Sequence, residues 1–196
     1  MAQVNFGKRE ITAKLVYYGP GMSGKTTNLE KVFERAPDTA KGEFTSISTE
    51  GDRTLFFDFL PLDLGEVAGM RTKLQLYTVP GQCYYASTRR LVLSGADGVA
   101  FIADSHPSKR QENLDSLMNL EENMQAYGAS METVATVLQW NKRDLPEVMP
   151  TPEMDADLNR WGLQTYEAVA VRGEGVFTTL KGLIGRVLTD LQGRFE

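Results

Sequence analysis

The sequence has one cysteine and one histidine. A lone Cys83 cannot close an internal disulfide, and neither Cys nor His is numerous enough to build a structural zinc site. Basic residues are also few: 21 Lys and Arg stand against 26 Asp and Glu, for a net charge of -5. Such a chain is a poor match for a nucleic-acid phosphate backbone, so no nucleic-acid partner is expected. No run approaches the roughly 20 apolar residues that cross a bilayer. Residues 1–10 lack the apolar core of a secretory signal, residue 2 is Ala where myristoylation needs Gly, and the tail Gly193-Arg194-Phe195-Glu196 has no prenylation Cys. The expectation is a cytoplasmic protein with no membrane anchor of its own.

What is present suits a folded chain. Of 196 residues, 41% are hydrophobic and 24% charged, enough to build a core and too apolar for a disordered segment. One domain over residues 1–196 is expected. Strand and helix signals alternate. Residues 11–18 read as a strand, 25–35 as a helix ended by Pro37, and 36–50 as a long polar loop. Residues 55–60 and 71–77 read as an antiparallel pair, with Asp63, Gly65 and Gly69 as turn residues. Residues 99–103, 134–138 and 165–171 read as buried strands, and 113–127 and 176–191 as amphipathic helices. This pattern predicts an α/β fold with a mixed, mostly parallel sheet and helices on both faces.

Gly19-Pro20-Gly21-Met22-Ser23-Gly24-Lys25-Thr26 matches G-x-x-x-x-G-K-[ST], followed by Thr27. It lies between a strand and a helix, as the chemistry requires. Glycines let backbone N–H groups wrap phosphate oxygens, and the helix N-terminus adds positive partial charge. Lys25 would neutralise the β/γ-phosphates and the Thr26 hydroxyl would ligate Mg²⁺.

A second motif separates guanine from adenine. Asn141-Lys142-Arg143-Asp144 matches N-K-x-D after a buried strand. The Asp144 carboxylate can accept from guanine N1–H and the 2-amino group. Adenine offers neither donor there, and a site left with an unpaired polar group rejects the wrong partner by about 10⁴–10⁵-fold. Lys142 can lay its stem along the base plane, and Asn141 can tie this loop to the phosphate loop. A P-loop kinase or ATPase is the competing class, and Asp144 speaks against it.

The stretch Thr78-Val79-Pro80-Gly81-Gln82 resembles the D-x-x-G-Q motif of Ras-like GTPases. There the Gly N–H contacts the γ-phosphate and the Gln orients the attacking water, so Gly81 and Gln82 match catalytic positions. Thr78 stands where that motif has an acid that supports Mg²⁺. Asp58, a lone acid between aromatics, is either its substitute or the solvent-facing residue of an edge strand. Thr54, or else Thr49, can close over Mg²⁺ and the γ-phosphate, and Arg53 is either a cis arginine finger or a solvated surface residue. Val169-Ala170-Val171 resembles the S-A-K loop of small GTPases, with the Ala170 N–H as a candidate donor to guanine O6.

Taken together, the chain resembles the MglA-type bacterial small GTPases, which govern cell polarity and gliding or twitching motility. The resemblance rests on the motifs above with Val16-Tyr17-Tyr18, Thr27-Asn28-Leu29, Arg53-Thr54-Leu55-Phe56-Phe57-Asp58-Phe59-Leu60-Pro61-Leu62 and Leu145-Pro146. Thr78 is itself a mark of that family. The resemblance implies a Ras-like P-loop NTPase fold, GTP/GDP and Mg²⁺ as ligands, slow intrinsic hydrolysis, and activation by a dimeric roadblock-type protein, MglB. Arg53 and Gln82 match residues that the family uses for hydrolysis. Recruitment to a cell pole would come through partners, with effectors and an exchange factor not identified by sequence. The alternative is a regulatory module that holds nucleotide with negligible turnover. Residues 151–164 diverge most, which leaves room for different partners.

Overall fold

In a computed structural model, residues 2–48, 56–67, 69–81 and 86–193 are described. Strand β2 (Glu10–Tyr18) runs into a glycine-rich turn and then helix α1 (Lys25–Arg35). The helix stops where sequence chemistry says it must: Ala36 precedes Pro37 and is extended, at φ -67 and ψ 139. Strands β4 (Phe56–Val67) and β5 (Met70–Thr78) form an antiparallel hairpin. Strands β6 (Gly98–Asp104) and β7 (Ala135–Asn141) are buried at every residue, as continuous apolar runs require. Helix α3 (Arg110–Gln125) connects them, and α5 (Val176–Gln192) closes the chain. Shorter elements are β1 (Gln3–Asn5), β3 (Thr45–Ser48), α2 (Ala86–Leu93), α4 (Thr151–Leu158) and β8 (Thr165–Glu167).

The strands form one sheet in the order β3-β4-β5-β2-β6-β7-β8, with β1 antiparallel to the start of β2. From β5 to β8 every pairing is parallel; β4 pairs antiparallel with both β3 and β5, so β4, like β1, runs against the other strands. Leu29 and Val32 of α1 and Leu180, Leu183 and Val187 of α5 pack one face. Val92 and Leu93 of α2, Leu117 and Leu120 of α3, and Met154 and Leu158 of α4 cover the other. Strand order, crossover helices and the turn after β2 make this a Ras-like P-loop fold.

Three segments differ from the sequence expectation. The polar stretch 36–50 contains β3, whose four residues pair with β4. Strand β4 runs past Leu60 through Pro61. The Pro61 carbonyl accepts from Gly42 N–H at 2.9 Å, so its missing N–H also faces that outer side, beyond the end of β3. The ladder then slips between Asp63 and Glu66, where Gly65 sits at φ 71. Finally, β8 is a half-exposed edge strand ending at Glu167, and Ala170–Arg172 is a 3-10 turn. The Val169 N–H donates to Glu174 O at 3.0 Å, which folds the chain back before α5.

A buried amide network spans this architecture. Asn28 of α1 and Gln139 of β7 exchange two hydrogen bonds of 3.0 Å, and Gln139 Nε2 also donates to Thr179 Oγ1 of α5 at 2.7 Å. Replacing Gln139 with Ala leaves the buried Asn28 Oδ1 without its donor, while Asn28 Nδ2 keeps its bond to Gly24 O at 2.9 Å. Chemical denaturation should register a loss of about 1–3 kcal/mol.

Candidate functional site

Parallel pairing brings the C-terminal ends of β2, β5 and β7 to one edge of the sheet, where doubly wound folds place ligands. The turn after β2 is tightly constrained. Gly24 sits at φ 102, and a Cβ there would lie 2.2 Å from Asn141 Nδ2. A Cβ on Gly81 would lie 2.3 Å from the Gly21 Cα, so two backbones meet at that point. Gly19, at φ 147, opens the turn; Met22, at φ 60 and 86% exposed, stands at its rim. Ser23 is fully buried, and its hydroxyl has no hydrogen-bond partner among the described residues.

Helix α1 starts with no side-chain cap. The N–H groups of its first turn, including those of Thr26 and Thr27, are left to serve an outside acceptor. Lys25 is buried and donates to Gly19 O at 3.0 Å and Pro20 O at 2.6 Å. Desolvation pushes its ammonium down to about 7; the Arg89 guanidinium adds repulsion, and the Asp58 carboxylate pulls the other way.

A cavity of about 500 Å³ lies over this turn, lined by Lys25, Thr26, Asp58, Thr78 and Gly81 among others. Asp58 collects three hydroxyls in its wall. Thr26 Oγ1 donates to Asp58 Oδ2 at 2.6 Å, Thr78 Oγ1 to the same oxygen at 2.9 Å, and Ser46 Oγ to Asp58 Oδ1 at 2.7 Å. The Asp58 N–H donates in turn to Thr78 Oγ1 at 2.9 Å. Strand register explains the meeting. Ser46 is directly opposite Asp58, and Asp58 lies one step beyond the Phe59–Tyr77 pair, beside Thr78. Asp58 shares its face with Leu60 and Leu62, which pack toward α1. It is therefore an inward acid, not the solvent-facing residue of an edge strand. One carboxylate among hydroxyls is a hard oxygen donor set that fits Mg²⁺, an ion that keeps several of its own waters.

The guanine-motif residues sit beside the turn. Asn141 Nδ2 donates to Ser23 O at 2.8 Å, and Asn141 Oδ1 accepts the Ala170 N–H at 2.9 Å. The Ala170 N–H thus faces Asn141, which ties the loop after β8 to the turn after β2. Val169 is buried and Val171 is 65% exposed. Lys142, at φ 64, is held by Asp104 Oδ2 at 2.6 Å. Asp144 stands 3.7 Å from the Arg172 guanidinium.

Gln82, Arg53, Thr54, Thr49 and Cys83 lie outside the described residues. Sequence reading passed over Ser46, Asp104 and Arg172. Ser46 lay in a stretch without visible period. Asp104 had a signal, as the acid ending the apolar run of β6.

No protein-family model matches the chain. It is 48% identical over 192 residues, 98% of this chain and 98% of the other, to the mutual gliding-motility protein MglA of Myxococcus xanthus (strain DK1622). That degree of identity runs through nearly the whole of both proteins, and it accompanies a Ras-like fold. The chain belongs to the MglA family of Ras-like small GTPases.

Proposed function

We propose that this chain, acting as one G domain over residues 1–196, binds GDP and GTP with Mg²⁺ and hydrolyses GTP to GDP and phosphate. The observation that carries this reading is the pair of hydrogen bonds made by Asn141, which joins the phosphate turn at Ser23 to the loop after β8. One wall can then grip a polyphosphate and a purine at a fixed distance. Lys25, with the N–H groups of Gly24, Lys25, Thr26 and Thr27, holds the phosphates. Asp144 reads the guanine edge, with Lys142 beside the base. Thr26 and Asp58 would hold Mg²⁺, and Thr54 would close on it. Once bound there, Mg²⁺ would offset phosphate charge. Gly81 presents its N–H to the γ-phosphate, Gln82 orients the water, and Arg53 neutralises developing charge in cis.

Hydrolysis is slow alone and is accelerated by a roadblock-type dimer of the MglB kind. The nucleotide state sets a binding surface near residues 36–54 and 80–90 that controls cell polarity and motility. The protein works in the cytoplasm and reaches a cell pole through partners. Among the described residues no helix is long and apolar enough to cross a membrane.

Calorimetric titration with GDP, GTP and ATP tests the central claim: guanine nucleotides bind and ATP does not, and equal binding of ATP would refute it. Lys25→Ala should abolish GDP binding. Asp58→Ala should weaken Mg²⁺ dependence more than GDP binding, since Asp58 reaches the phosphate turn only through Thr26. Gln82→Leu and Arg53→Ala should bind GTP normally but show no activator-stimulated turnover in single-turnover assays. The nucleotide-holding alternative predicts no stimulation even in the parent protein.

The depressed Lys25 value gives a pH dependence with a definite sign. Without phosphate the ammonium loses its proton near pH 7, and a polyphosphate raises that value. Binding therefore takes up a proton above pH 7, and affinity falls as pH rises. GDP titrations at pH 8.5, in buffers of different ionisation enthalpy, should report uptake of about one proton. No uptake would mean that Lys25 already carries its proton in the empty site.

A further inference from the structure

Arg89 in α2 is only 4% exposed. Among the described residues its acceptors are all neutral. Its Nε donates to Pro80 O at 2.8 Å, Nη2 to Gly81 O at 2.5 Å, and Nη1 to Asn119 Oδ1 of α3 at 3.0 Å. Its guanidinium lies 5.6 Å from the centre of the Tyr18 ring. Tyr18 and Asn119 are themselves fixed: the Tyr18 hydroxyl donates to Asn119 Oδ1 at 2.6 Å and accepts from Asn123 Nδ2 at 3.0 Å. A buried cation without a carboxylate is costly to keep unless geometry requires it.

The geometry has a direct consequence for Gly81. In a trans peptide the C=O and N–H point in opposite directions. Arg89 holds the Pro80 C=O, so the N–H of the same peptide, that of Gly81, points away from α2. Gly81 and Pro80 both line the cavity beside Lys25 and Asp58. The second bond, to Gly81 O, fixes the next peptide as well. Only a planar fork can satisfy both carbonyls and Asn119 at once.

We propose that Arg89 is a positioning residue: it clamps the Pro80–Gly81 turn against α3 so that the Gly81 N–H is aimed at a γ-phosphate, and thereby sets the preference for a nucleoside triphosphate over the diphosphate. This rests on the GTP/GDP reading given above. GDP has no group to meet that N–H, so Arg89 bears less on its affinity than on that of the triphosphate.

The test measures dissociation constants for GDP and a non-hydrolysable GTP analogue, both with Mg²⁺, on the full chain and on Arg89→Ala, Arg89→Lys and Asn119→Ala. In Arg89→Ala the triphosphate-to-diphosphate affinity ratio should fall about tenfold or more, the worth of a hydrogen bond to a charged group, with GDP affinity kept within about twofold. Arg89→Lys should show the same loss, because charge without the fork cannot hold both carbonyls. Asn119→Ala, which loosens one of three anchors, should show a smaller fall. An unchanged ratio, a parallel loss of both nucleotides, or a parent ratio restored by Lys overturns the proposal. If Arg89→Ala yields no cooperative melting with GDP bound, Arg89→Lys and Asn119→Ala decide by the same criteria. A parent chain that binds neither nucleotide would instead sink the GTPase reading itself.

Discussion

The carboxylate of Asp58 is the contact on which this end of the molecule depends. A buried charge must be satisfied where it sits. Here three hydroxyls do so, from Thr26 of α1, Ser46 of β3 and Thr78 of β5. Those three elements cannot shift independently without leaving an oxygen unpaired. The first turn of α1 is thereby fixed against the sheet. Lys25, the neighbour of Thr26, is held over backbone carbonyls, with its charge opposed by burial. One end of the cavity thus concentrates hydrogen-bond donors, which favours an anionic ligand, while Asp58 supplies the negative charge that a divalent cation needs.

From that centre, polar chains run into both layers of helices. On the α5 side, Asn28, Gln139 and Thr179 link the first turns of α1 to the core of the sheet. On the α3 side, Arg89, Tyr18, Asn119 and Asn123 link the turn after β5 to α3. Asn141 joins the phosphate turn to the last loop. Fully satisfied buried networks of this kind specify a single arrangement, because every partial rearrangement leaves a polar group unpaired.

Helix α1 was readable to the residue, because Gly24 and Pro37 impose its ends chemically. Strands β6 and β7 were readable because full burial writes an apolar run. Strands β1 and β3, and helices α2 and α4, were not. Each is short, and β3 gains its pairing from an edge that β4 provides. The inward direction of Asp58 was latent in the pattern: it has the parity of Leu60 and Leu62. Phe57 and Phe59 obscured this by making the opposite face look equally apolar.

The sequence by itself determined the glycine-rich turn before α1, the Asn141-Lys142-Arg143-Asp144 string and the alternation of strand and helix, since these are local properties of spacing and residue type. Only the tertiary structure decided that Asp58 meets Thr26, that the Ala170 N–H is bound to Asn141, and that Arg89 clasps the Pro80–Gly81 turn. Those contacts join residues brought together by strand register and helix packing. Distance along the chain carries no record of them.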